Sequence, residues 1–154
     1  MLMDKENKLA DAIDLANIPI VATTLGTAVP TTPTNSFKLW SRNRRMGDNQ
    51  ILAWIHGANA AGGTSLRIIA YVSESATAKT NAVAIADSGV IPTADMTKGY
   101  VFPLSVAPGK KLNSSGTAST LYVILEFVHL GLAYSAGKLS CHIGPIRDQQ
   151  TAQV

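Results

Sequence analysis

The sequence predicts an all-β protein, a jelly-roll-like β-sandwich of about eight strands with a short N-terminal helix or arm. Three observations predict it. After residue 17 the apolar residues fall in short runs, many of them alternating at period two or rich in β-branched and aromatic residues. Clusters of Gly, Pro, Asn, Ser and Thr separate these runs. No helix-length amphipathic segments alternate with the strands, which excludes βαβ architectures.

The first element is the stretch Asp4 to Ala16. Asp4 can cap a helix there, and Leu9, Ala12, Ile13 and Ala16 recur at helical spacing. Such a helix has about three turns and is marginal without packing. The alternative is an extended arm that orders on a partner. Ile18 to Thr23 reads as a short strand, with Pro19 at its start or on a sheet edge. Thr23 to Asn35, rich in Thr and Pro, reads as a long loop or an edge-hugging segment. Phe37 to Arg42 is a strand with Phe37, Leu39 and Ser41 on one face and Lys38, Trp40 and Arg42 on the other.

Gln50 to His56 is apolar on both faces, as expected of a strand between two layers. Gly57 to Gly63 is a small-residue loop, and Thr64 to Ser73 a long strand with Leu66, Ile68, Ala70 and Val72 on one face. Ala82 to Ala86 is a short strand, and Ile91 to Asp95 has turn chemistry. Tyr100 to Val106 carries Pro103, so it belongs at an edge or bulge. Ala107 to Ser119 is an exposed loop. Leu121 to Leu130 is the strongest strand, Gly131 to Gly137 turns, and Lys138 to Ile143 closes the sheet. The tail from Arg147 is polar. The organisation is an arm or short helix over 1–17, a sandwich over 18–146 and a polar tail over 147–154. Leu125 and Ile68 are core candidates.

A chain of 154 residues can bury roughly 68–70% of its unfolded surface, so it needs no metal or disulfide to hold a core. Charged residues are 15% of the chain, against a usual level of about 25%. Such a surface suits contact with other proteins, because interface cores are depleted in charge. The formal net charge of +3 is too small to imply nucleic-acid binding, though it can steer docking on an acidic surface. Cys141 is the only cysteine, so no intramolecular disulfide forms, and a reducing site of synthesis such as bacterial cytoplasm fits. The N-terminus has no apolar core of signal-peptide length. No run reaches the roughly 20 apolar residues of a membrane span; the best stretch, Leu121 to Ala133, is interrupted by Glu126 and His129.

Chemistry-bearing patterns are sparse. His56, His129 and His142 lie at or near strand ends and show no local metal-ligand spacing. Cys141 and His142 are strand neighbours and point to opposite faces, so they form no thiolate–imidazole dyad by themselves. The carboxylates make no close pair on a strand face of the kind acid–base catalysis uses. Glu126, inside an apolar strand, reads as outward-facing or as a paired buried carboxylate. Gly109-Lys110-Lys111 lacks the remaining positions of a phosphate-binding loop. No catalytic, cofactor-binding or metal residue is assigned, and no enzyme activity is expected. The one basic cluster is Arg42, Arg44 and Arg45, with Trp40 nearby. Its readings are a solvated loop, a protein contact, since Arg and aromatic residues dominate interface hot spots, or a clamp for single-stranded nucleic acid, though no RNP-type motif accompanies it.

Several phrases carry a family resemblance. The opening Met3-Asp4-Lys5-Glu6-Asn7, continuing to Asp11-Ala12, resembles the start of capsid cement (decoration) proteins of tailed bacteriophages. Ser65 to Glu74 is similar to that family's strand ending in a Ser/Asp-rich turn. Val90 to Tyr100, with Ile91-Pro92-Thr93-Ala94-Asp95-Met96, resembles its connection into the next strand. Leu121 to Val128 and Lys138 to Ile143 resemble its last two strands. The phrases run in order from residue 3 to about residue 148. Between Thr23 and Asp48 the chain departs from the pattern with extra residues, including Phe37 to Arg45.

The resemblance implies a jelly-roll subunit, often a homodimer, made in the cytoplasm of a bacterial host and seated on the outer capsid surface. It implies contact with several copies of the major capsid protein, and neither membrane nor nucleic-acid binding. It carries over no catalytic residue. The residues expected to touch partners are Leu2, Met3, Asp4 and Lys5 in the arm, and Trp40, Arg42, Arg44 and Arg45. The alternative is a carbohydrate- or host-surface-binding jelly roll, in which exposed Trp40, Trp54 and Tyr134 line a sugar platform.

Overall fold

The computed structural model describes residues 8–18, 37–39, 44–45, 49–107 and 109–145. The strands are β1 (Lys8–Asp14), β2 (Phe37–Leu39), β3 (Arg44–Arg45), β4 (Asn49–Ala61), β5 (Ser65–Ser73), β6 (Val83–Asp87), β7 (Ile91–Pro92), β8 (Val101–Phe102), β9 (Lys111–Leu112), β10 (Leu121–Leu130) and β11 (Ala136–Pro145). One sheet has the order β1-β11-β4-β8 and the other β2-β10-β5-β6, with β7 added beside β5. β3 and β9 form a separate two-stranded ribbon.

This order has a simple origin. Take the eight sandwich strands in chain order. The first pairs with the eighth (β1 with β11), the second with the seventh (β2 with β10), the third with the sixth (β4 with β8) and the fourth with the fifth (β5 with β6), all antiparallel. The chain is therefore one long four-step hairpin. Wrapping it brings β11 beside β4 and β10 beside β5, again antiparallel. That wrap is the jelly roll, and it closes a core between two sheets.

Alternation fills the core as the sequence predicts. Leu66, Ile68, Ala70 and Val72 of β5 face Leu121, Val123, Leu125 and Phe127 of β10 on the same inner side, and Ile51, Ala53 and Ile55 of β4 meet them from the other sheet with Leu139, Cys141 and Ile143 of β11. Cys141 lies in this core while its neighbour His142 turns outward to stack on Trp54, the ring centroids 4.9 Å apart.

Four sequence expectations are corrected. The stretch expected as a short helix or a partner-ordered arm is, over 8–14, an edge strand paired with β11, followed by a 3-10 turn at Leu15–Asn17 that Asp14 caps through its carboxylate and the Ala16 N–H. Register shifts on either side of Ala10, with Ala12 at φ 48°, let this strand bury both Leu9 and Ala10. Pairing with a ten-residue neighbour outweighs a helix too short to stand alone. Second, β4 continues through Ala61 where a small-residue loop was expected, because β11 reaches Ala136 opposite Ala61 and extends the ladder. Third, Pro103 ends β8 after two residues, since it has no N–H to give the sheet. Fourth, the loop after Ala107 is not wholly exposed: it contains β9, and Leu112 and Ser114 are buried. The segment 19–36 and the tail from residue 146 lie outside the described residues.

Candidate interaction surface

The wrap sorts the connections to two ends of the sandwich. The turn 62–64 joins β4 to β5 at one end, together with the 88–100 and 131–135 connections. At the opposite end lie the start of β4 at Asn49, the end of β2 at Leu39, the 74–82 hairpin loop, the start of β10, the end of β11 and the start of β1.

Of the residues expected to touch partners, Leu2, Met3, Asp4, Lys5, Trp40 and Arg42 lie outside the described residues. The described flanks of both segments, Lys8 on one side and Leu39 and Asn49 on the other, come to that same end. Arg44 and Arg45 form β3, where Arg44 is opposite Leu112 and Arg45 is opposite Lys111. Lys110 and Lys111 are exposed, whereas Leu112 joins the core and anchors the ribbon to the sandwich. Sequence reasoning missed Lys110 and Lys111 as companions of the arginines. Their only local signal was a failed phosphate-loop pattern, and nothing local announces which distant strand β9 will meet.

The other end is poor in charge. Leu132 Nα donates to Thr64 Oγ1, Thr93 Nα to the Thr64 carbonyl, and Ser135 Nα to the Ala61 carbonyl, which ties its three connections together. Gly63 allows this approach, because a Cβ there would lie 2.3 Å from the Tyr134 ring. Leu132 stands out from it at 70% exposure. Beneath, the fully buried His129 ring packs on Tyr134, with Nδ1 3.2 Å from the Ile18 carbonyl and Nε2 2.6 Å from that of Leu132.

On the outer face of the second sheet, Glu126 is buried and paired, one of the two readings its sequence position allowed. Tyr71 Oη donates to its Oε2 at 2.7 Å, and Lys79 Nζ to its Oε1 at 2.6 Å. Lys79 also sits 5.3 Å from the Tyr71 ring centroid. Beside it, Arg67 clamps Asp87 with two guanidinium N–H groups, one of them Nε to Oδ1 at 2.8 Å. That bond holds the Asp87 carboxyl below its ordinary range and the Arg67 guanidinium above its own. Glu74 is a structural hub: its carboxylate accepts from Ser114 Oγ, Ala118 Nα and Asn81 Nδ2, joining the 74–82 loop to the 113–118 stretch.

Burial sets an alkaline limit. It pushes the Cys141 thiol above its ordinary 9.0, and burial together with the Glu126 hydrogen bond pushes the Tyr71 phenol above its ordinary 10.0. Both raised groups hold their protons in the folded chain and release them on unfolding. Their contribution is intact below the ordinary values and is lost as pH rises past them, by up to about 1.4 kcal/mol per pH unit for each group. Urea midpoints measured from pH 8 to 11 should fall, first as the thiol ionises in the unfolded chain. Cys141→Ala should flatten the first part of the fall; an unchanged profile would contradict this origin.

Among the described residues, no group of three or more His, Cys, Asp or Glu side chains is placed to hold a metal ion, and no helix is long and apolar enough to cross a membrane. Trp54 and Tyr134, two of the aromatics a sugar platform needs exposed, are 5% and 4% exposed. Compared with known proteins, the chain matches no family model and no curated protein.

Proposed function

We propose that this protein is a structural component of a phage particle: a cement subunit that binds the outer surface of the major capsid protein lattice and stabilises the mature shell. The observation that carries the reading is the ordered series of phrases from Met3 to the last strand that resemble the cement family. A jelly-roll-like sandwich and a low content of charge are consistent with it.

The mechanism is linkage. A subunit that binds the assembled lattice and not the free capsid protein shifts the equilibrium towards the assembled state. Engaging several neighbours turns each further contact into an intramolecular one at high effective concentration. A contact of this kind buries about 1,200–2,000 Å² in total, and a homodimer doubles the number of lattice contacts.

Mass spectrometry of virions from a phage that encodes the chain should find it at high copy number. Particles assembled without it should lose heat resistance. Its absence from virions, or shells equally heat-resistant without it, would overturn the proposal.

A further inference from the structure

We propose that residues 8–18 form a strap that undocks from the sandwich as one unit and uncovers the β11 edge while the other strands stay paired. β1 stands at the end of its sheet, with β11 as its neighbour. Two register shifts break that pairing within seven residues. Ala12 lies at φ 48°, a left-handed conformation that is costly for a residue with a Cβ. Its N–H donates to Ser140 Oγ at 3.0 Å, a side chain standing where a ladder carbonyl would serve. The inner ladders are different. β10 and β5 pair from Tyr122–Ser73 to Leu130–Ser65 without a shift, and β11 and β4 do so from Lys138–His56 to Pro145–Asn49. Local opening begins where backbone pairing is least regular, and here that is an edge strand.

Discrete anchors at both ends of the segment hold it down. Leu9, Ala10, Leu15 and Ile18 are buried. Leu15 sits against Gly137, where a Cβ would come within 2.8 Å of its Cδ1. The Ile18 carbonyl lies 3.2 Å from His129 Nδ1. The last anchors are tied to the strand by internal bonds: Ala16 N–H donates to the Asp14 carboxylate, and Ile18 N–H to the Leu15 carbonyl. Such a segment leaves as a block instead of fraying from one end. Its departure frees backbone groups of β11 along Lys138–His142, the kind of edge to which an extended segment of another chain adds. It also opens the side of the core at Cys141, which lies across from Ala10. The inference stands on the geometry of β1 and does not need the capsid reading.

The test uses the full-length protein in urea below its unfolding transition. Amide hydrogen exchange is read by mass spectrometry, and Cys141, the only thiol of the chain, is labelled with N-ethylmaleimide. The amides of 8–18 should exchange together, about ten-fold or more faster than those of β5 and β10, and with little dependence on urea, because undocking exposes little surface. Cys141 should label with the same weak urea dependence. Leu15→Ala should speed both by about ten-fold or more, since it removes an anchor. Phe102→Leu is the contrast. Phe102 is buried on β8, three strands and about 14 Å from β1 in the same sheet. It should lower the global urea midpoint and leave exchange of the strap within about two-fold. If Leu15→Ala fails to fold, the urea dependence of the wild type decides. Exchange of 8–18 with the rate and urea dependence of β5 and β10, or equal acceleration by the two variants, would overturn the proposal. So would exchange from Lys8 onward that leaves 15–18 protected, or a thiol that labels only on global unfolding.

Discussion

Phe127→Ala should lower the stability of the fold by about 3–5 kcal/mol, a large part of the roughly 5–15 kcal/mol that holds a domain of this size together. Phe127 is one of the largest fully buried side chains and sits within the β10–β5 ladder, with Ile68 opposite it on β5. Truncation removes the transfer energy of the ring and leaves a cavity that two packed sheets fill only in part. The lowered urea midpoint should come with a nearly unchanged m-value, the mark of altered stability rather than altered unfolding. Leu132→Ser is the contrast. Leu132 is 70% exposed, so its replacement should move stability by no more than about 0.5 kcal/mol. Equal losses from the two variants would mean that the core does not lie where the alternation places it.

Lys79→Met should cost roughly 2–3 kcal/mol. Removing one member of a buried ion pair costs about 3–5 kcal/mol, because the other charge is left without compensation. The lower figure applies because the Lys79 side chain keeps 33% of its exposure while Glu126 keeps 3%, so water can replace part of the ammonium. Tyr71 still donates to the carboxylate in the variant and limits the loss further. Adding Glu126→Leu to Lys79→Met should recover most of the stability, since an apolar side chain in an apolar strand needs no counter-charge. Denaturation of both single variants and the double variant gives the coupling energy. A double variant less stable than Lys79→Met alone would show that the carboxylate is held by Tyr71 and its surroundings rather than by the lysine.

The two sites differ in how far local sequence exposes them. The inner face of β10 follows from Leu121, Val123, Leu125 and Phe127 at period two, so the reason Phe127 matters is readable without coordinates. Glu126 is visible as a carboxylate inside an apolar strand. Its partners come from β5 and from the loop before β6, and no local pattern selects them.

What the sequence determined by itself is the class of the fold and the interior faces of its long strands. β10 spans Leu121–Leu130 as its β-branched and aromatic content predicts, β5 differs from prediction by one residue at its start, and Cys141 and His142 face opposite sides as strand neighbours must. Period-two burial is a local property, written in consecutive residues. Only the tertiary structure decided that residues 8–14 become a strand, that β4 runs through Ala61, and that Arg44 and Arg45 pair with Leu112 and Lys111. Each of these depends on a partner strand far away in the chain. The free energy of such pairing arises in the ladder and in the core it closes, and it overrides the helical spacing or loop composition that the local residues display on their own.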